Sequence, residues 1–410
     1  VNMYFRLFEE CFFVPDRGGT GAIYNVFSGD IYKVTEKEAG IIKLLESNVS
    51  INEVLSKMPH IKKDYLISLI NLYKENEIGT FYDKPVYINK LIIDYKAMNN
   101  IPVMSSIMIT RAIISLSNQC RQKCKLCYPA QYLGDNTCIC CSGLEKSNIE
   151  QYMEIKKLNK IFSAIVKLKC KNVVLKIPDI EVKTEYFFQC LDIATEYLFE
   201  NITVLLGNTC ICDKTLNNLL NYNINIIIQK EVKNKEIGSS LSIYNRLKKI
   251  KGHKKISLLF IVYDDEVKNK LVEEIQITNE NGINCIISKY IEKENAINYY
   301  LNNPKFVNRT SIESFSYNQY FHSCLGGLIY FDQNGDVYPC PNLLDFKMGN
   351  INNFKEVWNK EGLHKFWHLT SMDNISKCKT CAIRYACKDC RANEYILGSD
   401  LFKKVTCNKI

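Results

Sequence analysis

From about Ser105 onward the chain alternates short apolar runs with longer stretches whose apolar residues recur at helical spacing. The runs are Ala112–Leu116, Val173–Leu175, Ile202–Leu206, Ile224–Ile228, Ile256–Val262 and Ile283–Ile287, and the stretches between them include 148–168 and 182–199. Short apolar runs bounded by polar segments predict strands, and the periodic stretches predict helices. Six such β-α units predict an α/β fold whose parallel sheet forms a partial (β/α)6 barrel. In such barrels reactive groups gather at the C-terminal ends of the strands.

The first eighty-odd residues follow another pattern. Met3–Phe8 and Ala22–Phe27 alternate as strands do, with turn signals at Gly18-Gly19 and Gly29, and Ile31–Val34 supplies a third strand. Thr35 stands three residues before Glu38, a capped helix start, and helices are predicted over Ala39–Glu46, Ile51–Lys57 and Lys62–Glu75. Strands followed by packed helices predict a small winged-helix-like module. A DNA-reading winged helix carries a basic recognition helix; here Asp64 and Glu75 interrupt the lysines, which favours a peptide ligand.

Candidate chemistry begins just beyond the first barrel strand, where Cys120, Cys124 and Cys127 stand at C-x3-C-x2-C. Three thiols can hold a [4Fe-4S] cluster and leave its fourth iron open for chemistry. A closed zinc site wants four ligands from paired knuckles, and no fourth thiol stands at knuckle spacing. The string resembles the signature of the radical S-adenosylmethionine (SAM) superfamily. That resemblance implies that SAM binds the open iron, that an external one-electron reductant serves the cluster, and that a 5′-deoxyadenosyl radical abstracts hydrogen from an unactivated C–H bond.

Near the other end, Cys324, Gly335 and Cys340 give C-x10-G-x4-C, followed by Cys378, Cys381, Cys387, Cys390 and Cys407. Leu328–Cys340 reads as two short strands about an Asn334-Gly335 turn, with Cys324 and Cys340 on its flanks. Paired C-x2-C knuckles also mark zinc ribbons; the five-residue gap between Cys381 and Cys387 and the upstream three-cysteine string favour iron and sulfur. The string resembles the SPASM auxiliary-cluster domain of peptide-modifying radical SAM proteins, with C-x2-C where C-x3-C is usual. The resemblance implies one auxiliary cluster on Cys378, Cys381, Cys387 and Cys407, and a second on Cys324, Cys340 and Cys390. With the SAM-binding cluster, that makes three [4Fe-4S] clusters. Where the family supplies a fourth ligand to the second cluster, it comes from just upstream of the first cysteine, but Tyr317–His322 holds no thiol. His322 is then a substitute ligand or, the favoured reading, a solvated loop histidine. The phrase from Arg384 to Arg391 also resembles maturases encoded beside ATP-grasp ligases, the grasp-with-spasm group, which implies such a ligase as a partner.

Many radical SAM proteins carry Gly-Gly-Glu-Pro after the second strand, where this chain has Ile177-Pro178-Asp179-Ile180. Asp179 keeps a carboxylate that can accept from the SAM ammonium, while the glycines that allow close backbone approach are gone. Gly207-Asn208-Thr209 loosely resembles the turn after the third strand, and Ile227-Ile228-Gln229 replaces the family's usual fourth-strand ending. These losses keep open a degenerate barrel whose clusters serve electron transfer or structure.

The 410 residues allow two or three domains. The formal charge of +9 falls to about +5 once ten thiolates and three cluster cores are counted, and the lysines are scattered, which argues against nucleic acid. Nineteen cysteines without a signal peptide predict a cytoplasmic protein that ligates metal, and no apolar run reaches membrane length. Cys138, Cys140 and Cys141 have no assignment; surface thiols are the favoured reading and a substrate or cluster contact the alternative. The expected domains are a leader-recognition module at 3–85, a linker at 86–108, the radical SAM partial barrel at 109–310 and SPASM at 318–410. In this setting the N-terminal module resembles the RiPP recognition element that grips leaders of ribosomally made, post-translationally modified peptides. The resemblances together imply a RiPP maturase acting on a precursor peptide with a leader, closing a thioether, C–C or C–O bond. The alternatives are sulfatase-maturing oxidation of a Cys or Ser side chain and a non-catalytic leader-binding scaffold. No catalytic residue beyond the cofactor ligands is assigned.

Overall fold

The computed structural model describes residues 3–95, 109–121, 126–127, 133–134, 138–144, 150–207, 211–233, 237–248, 255–278, 283–303, 309–358 and 362–407. Two compact units are each assembled from separated stretches: Val1–Ser106 with Tyr300–Cys324 and His368–Ile410, and Ile107–Tyr299 with Leu325–Trp367.

In the first unit, β1 (Tyr4–Leu7) pairs with β5 (Gly79–Tyr82), and β2 (Cys11–Pro15), β3 (Gly21–Asn25) and β4 (Ile31–Val34) form an antiparallel sheet. Helices α1 (Glu36–Glu46), α2 (Ile51–Lys57) and α3 (Lys63–Glu75) follow β4. Two capping boxes fix where the first two begin. Glu38 N–H donates to Thr35 Oγ1 while Thr35 N–H donates to Glu38, and Ser50 and Glu53 repeat the exchange. Each cap contributes about 1 kcal/mol. The module has its own core, which includes Phe5, Leu7, Ile23, Ile41, Leu45, Leu66 and Ile70.

A second apolar face of this module is covered by chain from far downstream. Val14, Ala22, Tyr24 and Val26 pack against Phe315, Ala382, Tyr385 and Ala386, and the Tyr24 hydroxyl donates to the Ala382 carbonyl at 2.8 Å. The loop between Cys381 and Cys387 thus shares a core with β2 and β3.

The second unit is built on a nine-stranded sheet ordered β11-β10-β9-β8-β7-β6-β12-β13-β14. Strands β6 (Arg111–Ser115), β7 (Asn172–Ile177), β8 (Asn201–Leu206), β9 (Asn225–Val232), β10 (Ile256–Val262) and β11 (Asn284–Lys289) run parallel in chain order. Helices α4 (Ile155–Lys167), α5 (Thr184–Glu196), α6 (Asp213–Leu220), α7 (Ile237–Lys248) and α8 (Asp265–Thr278) connect them, the arrangement expected of repeated βαβ units. β12 (Leu328–Phe331) adds to the far edge, parallel to β6 with Leu328 opposite Arg111. It turns through Gly335, at φ +81°, into antiparallel β13 (Asp336–Tyr338), which pairs with β14 (Gly349–Asn350). The turn at Asn334-Gly335 is where the sequence places it, but the hairpin is part of the large sheet. Among the described residues, no helix is long and apolar enough to cross a membrane.

Candidate iron–sulfur sites

Cys120 and Cys127 lie just beyond the C-terminal end of β6, and Cys124 falls outside the described residues. Cys127 is buried with Leu126, Ile139, Cys141 and Leu144 against Leu259 and Ile261 of β10, and Cys120 packs on the same group. Asp179 follows β7, its side chain wholly buried, and a fork from Arg121 reaches it: Nε to Oδ2 at 2.7 Å and Nη2 to Oδ1 at 3.0 Å. The hydrogen bonds and charge of Asp179 raise the Arg121 guanidinium above its ordinary value. An ionised carboxylate has about four lone-pair positions, so this fork leaves two for another donor. The pair ties the cysteine loop to the end of the second barrel strand. Gly207 stands at the end of β8, where a Cβ would come within 2.0 Å of the Pro178 carbonyl; the strand end therefore needs glycine. Asn208 and Thr209 fall outside the described residues.

The segment 138–144 corrects the reading of Cys138, Cys140 and Cys141 as surface thiols. Cys140 and Cys141 are buried and Cys138 is half-buried. The turn is held by Gln229, fully buried on β9: its Oε1 accepts from Cys140 N–H at 2.8 Å and its Nε2 donates to Cys141 Sγ at 3.6 Å. The fourth barrel strand does not end at Gln229, since β9 runs on to Val232, and the amide there, a departure from the family pattern, has a structural partner. Gly143, at φ +71°, packs so closely that a Cβ would meet the Pro341 carbonyl at 2.4 Å, which presses the turn onto the segment carrying Cys340. There the Cys138 and Cys340 side chains hydrogen-bond; that bond, with Arg111 and Lys176 nearby, lowers the Cys138 thiol to about 6. Burial pushes Cys140 up to about 12.

Lys176 of β7 is 1% exposed and donates to the Ser142 carbonyl. Burial pulls its ammonium down from the ordinary lysine value, and the thiols of Cys140, Cys141, Cys138 and Cys340 pull it back up. Its Nζ also stands 5.2 Å from the centre of the Tyr330 ring on β12.

In the first unit, short 3-10 turns carry Cys378, Cys381 and Cys387: Cys381 N–H donates to Cys378 O at 2.9 Å, and Arg384 N–H to Cys381 O at 3.3 Å. Burial pushes Cys387 up to about 12, with Asp389, Cys381 and Cys407 acting in the same direction. Burial raises Cys378 too, and Cys387 is among the groups that raise it further. The four cysteines assigned to one auxiliary cluster are therefore electrostatic neighbours.

Beside them lies a buried polar network on helix Arg391–Gly398 and the segment that follows. Arg391 forks onto Asp389 and donates to the carbonyls of Leu401 and Lys403. Lys404 bridges Asp389 and Glu394, while Glu394 accepts from the backbone N–H of Val405 and Thr406. Two carboxylates balance two cations and anchor the stretch leading into Cys407. Buried charges persist only when so paired and hydrogen-bonded.

This network corrects the solvated-loop reading of His322. The ring is fully buried; Nδ1 accepts from Cys324 N–H at 3.1 Å, so Nε2 carries the proton and donates to Asp389 Oδ2 at 3.0 Å. Both nitrogens are engaged, and neither offers a lone pair to iron. The signal missed in the sequence is Asp389, sixty-seven residues away.

Among the described residues, no three Cys, His, Asp or Glu side chains converge on one ion. A cubane takes each thiolate on a different iron, so its sulfurs stand farther apart than the donors around a single ion. Buried neutral thiols with raised pKa values suit such a group, because deprotonation then accompanies metal binding.

Residues 324–382 match the SPASM family, described as an iron–sulfur cluster-binding domain. Cys324, Cys340, Cys378 and Cys381 lie within the matched residues, and Cys387, Cys390 and Cys407 lie beyond them. This chain carries a SPASM domain. Two solved structures are similar to it. Native anSMEcpe with bound AdoMet and Kp18Cys peptide shares 14% identity at TM-score 0.43, over 69% of this chain and 89% of that one. Histidine-tagged anSMEcpe with bound AdoMet shares 14% identity at TM-score 0.46, over 72% and 93%. No curated protein sequence matches the chain.

Proposed function

We propose that the protein is a radical SAM/SPASM enzyme that modifies a ribosomally made precursor peptide. The observation that carries this reading is the coincidence, in one chain, of a SPASM domain with three cysteines in the sequence just after β6, the first of six parallel βα-connected strands in a nine-stranded sheet. Cys120, Cys124 and Cys127 would hold the SAM-binding cluster. Cys378, Cys381, Cys387 and Cys407 would hold one auxiliary cluster, and Cys324, Cys340 and Cys390 would contribute to the other. When bound, clusters and SAM together supply reductive cleavage of the sulfonium and abstraction of a substrate hydrogen.

The chain's own residues bind and orient. Asp179, fixed by Arg121 and with lone pairs to spare, receives the SAM ammonium. The apolar group around Cys127, which includes Leu259 and Ile261, keeps water from the cysteine loop, as a site for reactive intermediates requires. The N-terminal module holds the leader, by strand addition to its antiparallel sheet. Tethering then raises the effective concentration of the core peptide. Closure of a thioether, C–C or C–O bond is the proposed outcome, with an external one-electron reductant and, by the grasp-with-spasm resemblance, an ATP-grasp ligase as partners. Cytoplasmic residence belongs to the same proposal.

Anaerobically reconstituted full-length protein given SAM and dithionite should form 5′-deoxyadenosine. With a leader-bearing precursor it should lower the peptide mass by the two hydrogens lost in cross-linking. Deoxyadenosine formation with only leaderless Cys or Ser peptides oxidised would move the assignment to sulfatase-maturing chemistry. No deoxyadenosine at all would leave the scaffold reading.

A further inference from the structure

We propose that the exposed cations around the Cys378 and Cys387 turns dock an acidic one-electron carrier protein, which takes electrons from the auxiliary cluster assigned to Cys378, Cys381, Cys387 and Cys407. The inference rests on that assignment, and every residue it uses belongs to the first unit. Three contacts bring the face together. Cys387 packs on Cys378, Met372 and Ile375. Ser376 N–H donates to the Phe402 carbonyl at 3.0 Å, and Lys404 donates to Asp389. Lys377 and Lys379 flank Cys378, Lys388 follows Cys387, and Lys403 precedes Lys404, so four exposed lysines border the same cysteine turns. Arg17, also exposed, joins them through its backbone N–H, which donates to the Thr380 carbonyl at 3.0 Å.

The acids of this region are engaged elsewhere. Residues 368–407 hold four of them: Asp373 pairs with Arg384, Asp389 and Glu394 with Arg391 and Lys404, and Asp400 stands 3.8 Å from Lys403. Asp16, beside Arg17, accepts from Ala382 N–H at 3.4 Å. Arg17, Lys377, Lys379 and Lys388 have no ion pair among the described residues. A patch of one sign steers an oppositely charged protein toward it and fixes its orientation. Phe402, 43% exposed, supplies an apolar contact at the centre of the small interface that transient redox partners use. A carrier fits better than a nucleic acid because the cations border the ligand turns of a redox group, and electron transfer falls steeply with distance. Each closure of a cross-link sends one hydrogen atom to the deoxyadenosyl carbon, one proton to solvent and one electron to the auxiliary cluster. The carrier enters oxidised and leaves reduced by that electron.

The test titrates isotope-labelled, oxidised flavodoxin, used as an acidic carrier, with iron-loaded full-length protein and reads binding from the NMR line widths. Changing Lys377, Lys379 and Lys388 together to Glu should weaken binding at least about tenfold at low salt, and added salt should shrink the difference. The same charge change at Lys43, Lys57 and Lys63, exposed on the N-terminal helices, should alter binding less than about twofold, because distant exposed charges are screened. With Cys120, Cys124 and Cys127 changed to Ala, the reduced auxiliary clusters should pass electrons to flavodoxin more slowly in the first triple variant, and to basic cytochrome c no more slowly. Equal weakening of flavodoxin binding by both triples, or by neither, overturns the inference and leaves the cluster assignment standing; an iron-free parent overturns both. Loss of binding to a labelled oligonucleotide in the first triple, with flavodoxin binding unchanged, makes the face a nucleic-acid site and refutes the inference. Should the first triple fail to take up iron, carbodiimide cross-linking of the unmutated protein to flavodoxin decides. Cross-links at these lysines support the inference, and cross-links only elsewhere refute it.

Discussion

Asp389→Ala tests whether the buried network holds the C-terminal cysteine loops. The substitution removes one carboxylate from a set in which Arg391, Lys404 and His322 all point at it. Arg391 and Lys404 would be left sharing Glu394 in a site from which water is excluded. Breaking a buried ion pair by deleting one partner costs about 3–5 kcal/mol. For a unit of this size that corresponds to a drop in unfolding midpoint of about 6–20 °C. Burial opposes the charged form of Asp389, but Arg391 and Lys404 outweigh it and hold the carboxyl well below the usual aspartate range. A depressed folded pKa contributes stability that is complete above the unfolded value of about 3.9 and is lost as pH falls toward the folded one. The gap between wild type and Asp389→Ala should therefore be full near neutrality and close below about pH 4. Anaerobic urea melts followed by circular dichroism, repeated from pH 7 to pH 3, measure it. A loss under about 1 kcal/mol at pH 7, or a gap that widens in acid, would refute the network's role.

Cys124→Ala should abolish 5′-deoxyadenosine while the auxiliary EPR signals persist, and full-length protein should bind about twelve irons, falling by about four without the three loop thiols; saturation near four would contradict the assignment. Asp179→Ala should weaken SAM binding in equilibrium dialysis while leaving iron content intact, and unchanged affinity would show that this carboxylate serves only Arg121. Asp332, lifted to about 6 chiefly by burial, behaves oppositely to Asp389. Its raised folded pKa gives stability present below about pH 4 and lost as pH rises through 6, a slope that Asp332→Asn should flatten in the same urea series. Excess free leader peptide should suppress modification of a limiting precursor far more than peptide-independent SAM cleavage, and equal modification with and without it would remove the leader-binding role.

Local chemistry is legible in the sequence where it is decided locally. Thr35 and Glu38 announce the start of α1, the second helix lies at Ile51–Lys57 as its pattern predicts, and Ile31–Val34 and Ile256–Val262 are strands with the bounds their apolar runs give. β2 escapes such a reading because Pro15 ends it and its partner face lies downstream, on Phe315 and Tyr385. The hairpin at Leu328–Tyr338 is readable, but not its pairing with β6, since a parallel contact between distant segments leaves no pattern in either. His322 and Cys138 mislead for the same reason: each looks exposed among its polar neighbours in sequence, and each is covered by residues far along the chain.

The pairing of β12 with β6 also sets an order in time. Strand Arg111–Ser115 leaves the ribosome more than two hundred residues before Leu328–Phe331, which covers its free edge. At about 5–20 residues per second, that interval is about 10–45 s. Throughout it the nascent barrel presents an apolar strand edge of the kind that recruits other chains. Slowed synthesis between these segments, or a stop before Leu328, should therefore show up as insoluble protein rather than as a soluble barrel lacking its auxiliary clusters.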